Sequence, residues 1–151
     1  MRTAYRVLAY ALVAEVVLQA MMIGIALAGV NKWIDDGHTV TKQVVDSHPR
    51  FAGSIGFPIH AINGEMLVPL LVLALLVVSF FVKMPEATRR AAILVGLVVL
   101  QVVLGLTLQG APYVALLHVL NAFAILAVAL LAARSVPSRP EVSVRESSGV
   151  I

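Results

Sequence analysis

The chain contains no cysteine among its 151 residues. This absence excludes disulfide bonds, thiolate catalysis, iron–sulfur clusters and covalent c-type haem attachment, because each of them needs a cysteine sulfur. Charged residues are also scarce, at 13% of the sequence, whereas hydrophobic residues make up 60%. Such a composition is far from that of an ordinary soluble domain and indicates a membrane protein.

The hydrophobic residues fall in four stretches, each long enough to cross a bilayer, for which about 20 residues are needed. We place them at Ala4–Val30, Phe57–Val82, Arg90–Gln109 and Pro112–Ala133. We therefore expect an all-α fold, a transmembrane up-down-up-down four-helix bundle that occupies residues 1–135 and lies in a lipid bilayer. The first stretch should be a retained helix rather than a signal peptide, because its apolar run is too long and Glu15 interrupts it.

Basic residues flank these stretches unevenly. They precede the first, separate the second from the third and follow the fourth, at Arg2, Arg6, Lys83, Arg89, Arg90, Arg134, Arg139 and Arg145. The long loop 31–56 carries as many acidic as basic residues. By the positive-inside rule both termini should be cytoplasmic and this loop should be outside, in the plasma membrane of a prokaryote. The basic charge thus reflects topology, with no nucleic-acid partner, and the polar tail 136–151 is expected to be disordered.

An internal repeat relates the two halves of the chain. Val16–Gln19 in the first stretch recurs as Val98–Gln101 in the third, and a His-x-x-Asn pattern in the second recurs in the fourth. We interpret this as a bundle built from two repeated helical hairpins that differ mainly in the length of their first loop.

The two repeated histidines, His60 and His118, are the most informative residues. An ionisable ring in hydrocarbon is costly and is a functional-site hypothesis by default. Both rings should lie within roughly 5–10 Å of the outer boundary, given the helical rise. In a square bundle their helices are diagonal, with axes roughly 12–14 Å apart, which suits two imidazoles on opposite faces of a metalloporphyrin. This predicts one haem b per chain, with both histidines as iron ligands; separate rings bonded to carbonyls, another metal or a quinone are the alternatives.

Four amides accompany the histidines, namely Asn63, Asn121, Gln19 and Gln101. Each is a candidate cofactor-binding residue, because the second ring nitrogen of a ligating histidine needs an acceptor. The alternative for all four is ordinary hydrogen bonding between helices. Arg50 is a further candidate, on the correct side to meet haem propionates, whereas His38 and His48 are expected to be solvated loop residues.

Two carboxyl groups lie within predicted helices. Glu15 shares a helix face with Gln19, and Glu65 precedes Pro69 by four residues, so its carbonyl lacks a helical donor and the helix is expected to kink there. Glu65 and Glu15 are weak catalytic candidates, for proton uptake or as an acid. The alternative is a neutral carboxyl bonded within the bundle.

Helices three and four, read as Gln101–Gly105 followed by Leu116–His118 and Ala122, resemble one half of the heme A synthase family. The resemblance covers most of the chain. It implies a four-helix fold in which His60 and His118 ligate haem. The sequence is equally similar to small four-helix membrane proteins of unknown function that have the same histidine pattern.

Two departures from that family bear on catalysis. Its catalytic half has a glutamate three residues before the first ligand and commonly an arginine just after it, whereas this chain has Phe57 and Ala61 there. The family's extracellular cysteine pair is also absent. The resemblance therefore supports haem ligation more than haem oxidation, unless Glu65 replaces the missing acid.

The sequence thus leads to three hypotheses. The first is a b-type membrane cytochrome that transfers electrons through one bis-histidine haem, with a quinone, a redox protein or a second copy of the chain as its partner. The second is a half-size, heme A synthase-like oxidoreductase that modifies haem. The third is a cofactor-free membrane scaffold or subunit of a complex.

Overall fold

The computed structural model describes residues 1–108 and 111–136. Its elements in chain order are α1 (Arg2–Asp35), α2 (Lys42–Asp46), α3 (Gly56–Ile62), a π-helical segment (Asn63–Leu67), α4 (Val68–Val82), α5 (Pro85–Thr107) and α6 (Val114–Ser135). The described part of the chain has no strand. Residue 109, at the predicted end of the third stretch, and tail residues 137–151 lie outside the described residues.

Four helices are long and apolar enough to cross a membrane: α1, the continuous helix Gly56–Val82, α5 and α6. This confirms the all-helical class and the four predicted apolar spans. Only a minority of each span is buried within the chain. The remaining apolar surface fits a lipid environment, in which leucine-rich faces need no protein cover.

Helix boundaries differ from the prediction by up to five residues, and two of them differ by five. The third long helix begins at Pro85 rather than Arg90, because proline suits the first helical position and Glu86 pairs with Arg89 and Arg90 at 2.9 Å across the first turn. The first helix continues beyond Val30 to Asp35, where Lys32 pairs with Asp36 at 3.0 Å. Charged residues at these positions therefore extend the helices instead of ending them.

The long helices form a ring of neighbours. Helix α1 packs against α3 and α4 on one side and α6 on the other, and α5 packs against α4 and α6. The α4–α5 connection consists of Lys83 and Met84, and Lys83 adopts a left-handed conformation with φ of 60°. One hydrogen bond crosses the ring, from the Tyr5 hydroxyl to the Ala87 carbonyl at 2.9 Å.

The tightly packed part of the bundle, here called the core half, lies around this hydrogen bond. It comprises the first third of α1, α4, the first half of α5 and the end of α6. Its fully buried residues include Tyr5, Leu12, Leu75, Leu94 and Ile125, packed with alanines of α1, α5 and α6. Small residues let helix backbones approach closely, which is the main source of attraction between helices in lipid.

The π-helical segment interrupts the second long helix near Pro69. Proline has no N–H and its ring clashes with the carbonyl four residues earlier, which here belongs to Glu65. The helix widens over Asn63–Leu67 instead of breaking, and α4 continues from Val68. The disturbance expected at Glu65 and Pro69 therefore takes the form of a π-turn.

The end of the long loop 31–56 packs closely against α1 at two glycines, Gly29 and Gly56. A side chain at Gly29 would collide with the Ala52 carbonyl, and one at Gly56 with the Met22 carbonyl. Gly53 also has φ of 86°, a conformation that favours glycine. This close approach fixes the start of α3, and with it the position of His60.

Candidate functional site

His60 and His118 come together between α3 and α6. Their ring centroids are 6.3 Å apart and their planes are inclined by 55°. Both side chains are half-buried. The structure therefore brings the two repeated histidines to one place, as the sequence pattern suggested.

The part of the bundle around this pair, here called the histidine half, contains residues 15–35, 56–67, 99–107 and 114–124 of the long helices. Its buried residues are small or polar, namely Ala26, Gly29, Gly56 and Asn121. By contrast, the largest fully buried side chains of the described chain lie outside it, in or next to the core half. The histidine half thus buries smaller side chains than the core half, and backbones approach closely at Gly29 and Gly56.

His60 is held to α1 by Gln19. Its Nδ1 lies 3.1 Å from the Gln19 main-chain carbonyl. The Gln19 amide, oriented to satisfy its neighbours, donates to His60 Nδ1 at 2.7 Å and to the His60 carbonyl at 3.0 Å, and it accepts from the Gly64 N–H at 3.1 Å. The Gln19 side chain therefore lies between the His60 carbonyl and the Gly64 N–H. In a regular α-helix these two groups would bond to each other.

This insertion is linked to the π-turn that begins at Asn63. Where the helix widens, the regular backbone ladder is lost, and an inserted side chain satisfies the freed groups. A side chain at Gly64 would stand 3.7 Å from the Gln19 side chain, an ordinary van der Waals distance, so the insertion does not require glycine there. The insertion of Gln19 was not anticipated from the sequence, although Pro69 was a signal of an irregular turn.

The repeat-related residues of α5 and α6 are bonded differently. Asn121 donates to the Gln101 Oε1 at 2.7 Å and to the Leu97 carbonyl at 2.8 Å. The Gln101 carbonyl lies beside His118, but His118 Nδ1 is buried and has no partner of normal hydrogen-bond geometry among the described residues. Gln101 thus serves its neighbour Asn121 and not the histidine.

Gly105 contacts the His118 ring. A side chain at this position would lie 3.3 Å from His118 Cε1 and 3.7 Å from Nδ1. Gly105 ends the Gln101–Gly105 motif, and nothing in that motif indicates a contact with His118. The residue leaves room for the imidazole without holding it.

The other candidate residues lie apart from these contacts. Asn63 is half-buried and takes no part in the Gln19 hydrogen bonds, and Arg50 is exposed in the loop. Glu65 is exposed and lines a groove between α4 and α5. Glu15 is half-buried, and its Oε2 is buried without a partner in the described part of the chain.

The two remaining histidines, His38 and His48, contact residues near them in the sequence. His38 is exposed, stacks on Trp33 with centroids 3.9 Å apart, and its Nδ1 lies 3.2 Å from the Trp33 carbonyl. His48 is also exposed and contacts the Asp46 carbonyl at 2.9 Å through Nδ1. Both therefore lie where solvated loop histidines were expected.

The donor set limits what the pair can bind. Within the described residues, no group of three or more His, Cys, Asp or Glu side chains could hold a metal ion. A protein zinc site needs three or four such ligands, whereas a haem needs only axial ligands because its macrocycle occupies the equatorial positions. Two histidines fall short of a zinc set and equal in number the ligands of a bis-histidine haem. Comparison with known proteins gives no matching family model, curated protein or solved structure.

Proposed function

We propose that the chain is an integral membrane b-type haem protein that holds one haem b between His60 and His118 and transfers electrons. The separation of the two rings, 6.3 Å between centroids, carries the proposal. A metal–imidazole bond is about 2 Å long and the ring centre lies about 1 Å beyond the nitrogen, so two imidazoles on opposite sides of one metal have centroids roughly 6 Å apart.

Carbonyl groups stand near Nδ1 of both rings. A neutral histidine that ligates through Nε2 carries its proton on Nδ1, usually donated to a carbonyl. The Gln19 carbonyl is 3.1 Å from His60 Nδ1, and the Gln101 carbonyl is close to His118. Ligation by His60 would require the Gln19 amide, which donates to the same nitrogen, to move away.

The interior of a helix bundle is a suitable setting, because bundle interiors commonly hold cofactors from side chains on facing helices. The buried residues of the histidine half are Ala26, Gly29, Gly56 and Asn121. Arg50, exposed in the nearby loop, is the candidate partner for propionates.

When bound, the haem would supply one-electron redox chemistry. His60 and His118 would both ligate the iron, which favours electron transfer over binding of an added ligand. One haem near one end of the bundle cannot carry electrons across the whole membrane. A quinone, a redox protein or a second copy of the chain would therefore have to exchange electrons with it.

The topology is part of the proposal. Tyr5 near the start of α1 bonds to Ala87 near the start of α5, and Arg90 of α5 bonds to the Leu131 carbonyl near the end of α6. These contacts support an up-down-up-down order built from two hairpins, with the basic ends of the helices together. We place that end in the cytoplasm, in the plasma membrane of a prokaryote. The likeness to half of heme A synthase remains a hypothesis of common architecture.

Optical spectroscopy tests the proposal. The protein, produced with ample haem and purified in mild detergent, should give the reduced-minus-oxidised spectrum of a b-type cytochrome. Alanine at His60 and His118 together should abolish it, whereas a His38→Ala, His48→Ala control should leave it unchanged. A colourless wild-type protein, or a spectrum that survives loss of both His60 and His118, would show the proposal to be wrong.

The identity of the extracted haem separates electron transfer from haem modification. After incubation with haem O and a reductant in air, chromatography should recover haem O unchanged. Recovery of haem A or a hydroxylated intermediate would instead assign the chain to the haem-modifying class. In that case Glu65 and Glu15 would be the first carboxyls to replace.

A further inference from the structure

We infer that the groove between α4 and α5 is a binding site for a quinone or its quinol, held by a hydrogen bond to Glu65. A quinone at this position would be the electron partner of the haem, and in that respect the site rests on the proposed function. Binding itself needs no haem and can be measured separately.

The walls of the groove are apolar. Its volume is about 290 Å³, six valines of α4 and α5 form most of its lining, and Glu65 is the one polar residue among the lining residues. Ligand pockets of roughly 300–1,000 Å³ are mostly apolar, with a few polar groups that fix the orientation of the ligand. The groove therefore has the composition of a site for a small apolar ring with one polar attachment point.

The Glu65 carboxyl is exposed at this groove and makes no hydrogen bond or ion pair within the described part of the chain. By contrast, Asp36, Asp46 and Glu86 each pair with a basic residue near a helix end. An ionisable side chain in hydrocarbon is costly and marks a functional site by default. A ligand that hydrogen-bonds to Glu65 would reduce that cost.

The depth of Glu65 restricts the kind of ligand. It lies nine residues beyond Gly56, the start of a 27-residue helix, and therefore roughly 14 Å along that helix. This is close to the middle of a hydrocarbon core of about 30 Å. Phospholipid headgroups lie at the bilayer surface and do not reach this depth, so the ligand must itself dissolve in hydrocarbon.

A quinone meets both requirements. It dissolves in the bilayer, its ring carbonyls can accept a hydrogen bond from a protonated carboxyl, and the hydroxyls of a quinol can donate to an ionised one. Glu65 can therefore bind either redox form. A second copy of the chain fits less well, because a two-fold dimer through this face would bring two Glu65 carboxyls together in hydrocarbon.

The groove is close to the histidine pair, although neither histidine lines it. Glu65 follows His60 by five residues on one continuous helix, a rise of roughly 7.5 Å. On α5, the lining residue Val102 directly follows Gln101, whose carbonyl is close to His118. A quinone bound at Glu65 would therefore lie within about two helical turns of the proposed haem ligands.

Photoaffinity labelling tests the site. The full chain in lipid nanodiscs would be illuminated with an azido-substituted decyl benzoquinone, and the labelled residues identified by mass spectrometry. We expect label at groove residues such as Pro69, Leu73 and Val99, and we expect unlabelled decyl benzoquinone, but not decane, to compete. Label confined to α1 or α6, or label that unlabelled quinone does not displace, would overturn the inference.

Matched variants locate the binding determinants. Val99→Phe, which fills the groove, should abolish the displaceable label, whereas Val77→Phe should keep it. Val77 is the control because it is 56% exposed, against 59% for Val99, but lies outside the groove. Glu65→Leu should need about tenfold more unlabelled quinone for half-displacement, because one hydrogen bond is lost. Wild-type behaviour of Val99→Phe or Glu65→Leu would contradict the inference.

A cysteine at Glu65 tests whether a second copy covers the groove instead. Because the chain has no cysteine of its own, oxidation of Glu65→Cys in membranes should leave it monomeric if the groove faces lipid and quinone. A disulfide-linked dimer would overturn the inference. A haem-loaded wild type without label in the groove would refute the quinone site alone, and a labelled wild type that binds no haem would refute the proposed function alone.

Discussion

The Gln101 side chain accepts a hydrogen bond from Asn121 at 2.7 Å. In the sequence repeat, Gln19 corresponds to Gln101 and Asn63 to Asn121, but Gln19 does not bond to Asn63. Gln19 is inserted beside His60 instead. One repeated pattern therefore produces two local structures. The difference arises at the π-turn near Pro69, since no proline occupies the matching part of α6.

Asn121 should stabilise the α5–α6 contact. It is 7% exposed and bonds to two groups of α5. We expect Asn121→Ala to lower the free energy of unfolding by about 1 kcal/mol, since hydrogen bonds between membrane helices contribute roughly 0.6 to 1.7 kcal/mol. Unfolding in mixed micelles with increasing sodium dodecyl sulfate would measure the change. Asn63→Ala, at the half-buried equivalent, is the control, and an equal loss there would count against the interhelical role of Asn121.

Tyr5 should hold α1 to α5 in the core half. Its side chain is fully buried, and its hydroxyl donates to the Ala87 carbonyl. Tyr5→Phe should destabilise the protein by about 0.5–1.5 kcal/mol, because a buried carbonyl loses its donor while the packing is kept. The same unfolding assay on Tyr10→Phe, where the ring is 43% exposed, should show almost no change. If both variants unfold alike, the hydrogen bond does not contribute to stability.

Gly29 should be required for docking of the long loop 31–56 onto α1. A methyl group there would collide with the Ala52 carbonyl, whereas one at Gly24, on the same helix, meets nothing within 4 Å. We expect Gly29→Ala to release the loop and expose Lys42 and Arg50 to trypsin, with Gly24→Ala cleaved at the wild-type rate. Limited proteolysis in detergent would measure both rates. Wild-type resistance in Gly29→Ala would show that the loop is not held by this contact.

The absence of cysteine makes the orientation easy to test. Single cysteines can be placed in the loop as Ser47→Cys and in the α4–α5 turn as Lys83→Cys, both exposed positions. In intact cells, a membrane-impermeant maleimide should label Ser47→Cys and reach Lys83→Cys only after permeabilisation. The reverse pattern would place the basic ends of the helices outside and invert the proposed topology.

The apolar stretches were enough to predict four long helices, because continuous hydrophobicity over about 20 residues has few other interpretations. The predicted helix ends were less accurate where charged residues indicated a loop. In the structure Glu86 and Lys32 form ion pairs with residues one turn further along the chain, and the helices continue there. The repeat indicated that His60 and His118 belong together, and the structure brings them together. The repeat could not show that Gln19 and Gln101 bond to different partners, because the partner of Gln19 depends on the path of the π-turn.

Gly105 shows a second limit of the sequence. A glycine in an apolar helix has many causes, among them close helix packing, and nothing in its neighbours indicates contact with an imidazole 13 residues later. The contact with His118 emerges only when α5 and α6 are placed side by side.

Electron paramagnetic resonance of the oxidised, haem-loaded protein at low temperature tests the central claim most directly. Two imidazole ligands on ferric iron give a low-spin signal, and we predict that signal for the wild type and a high-spin signal for His118→Ala. A wild-type protein with only high-spin iron would contradict ligation by His60 and His118. A low-spin signal that persists when both are replaced would contradict it equally.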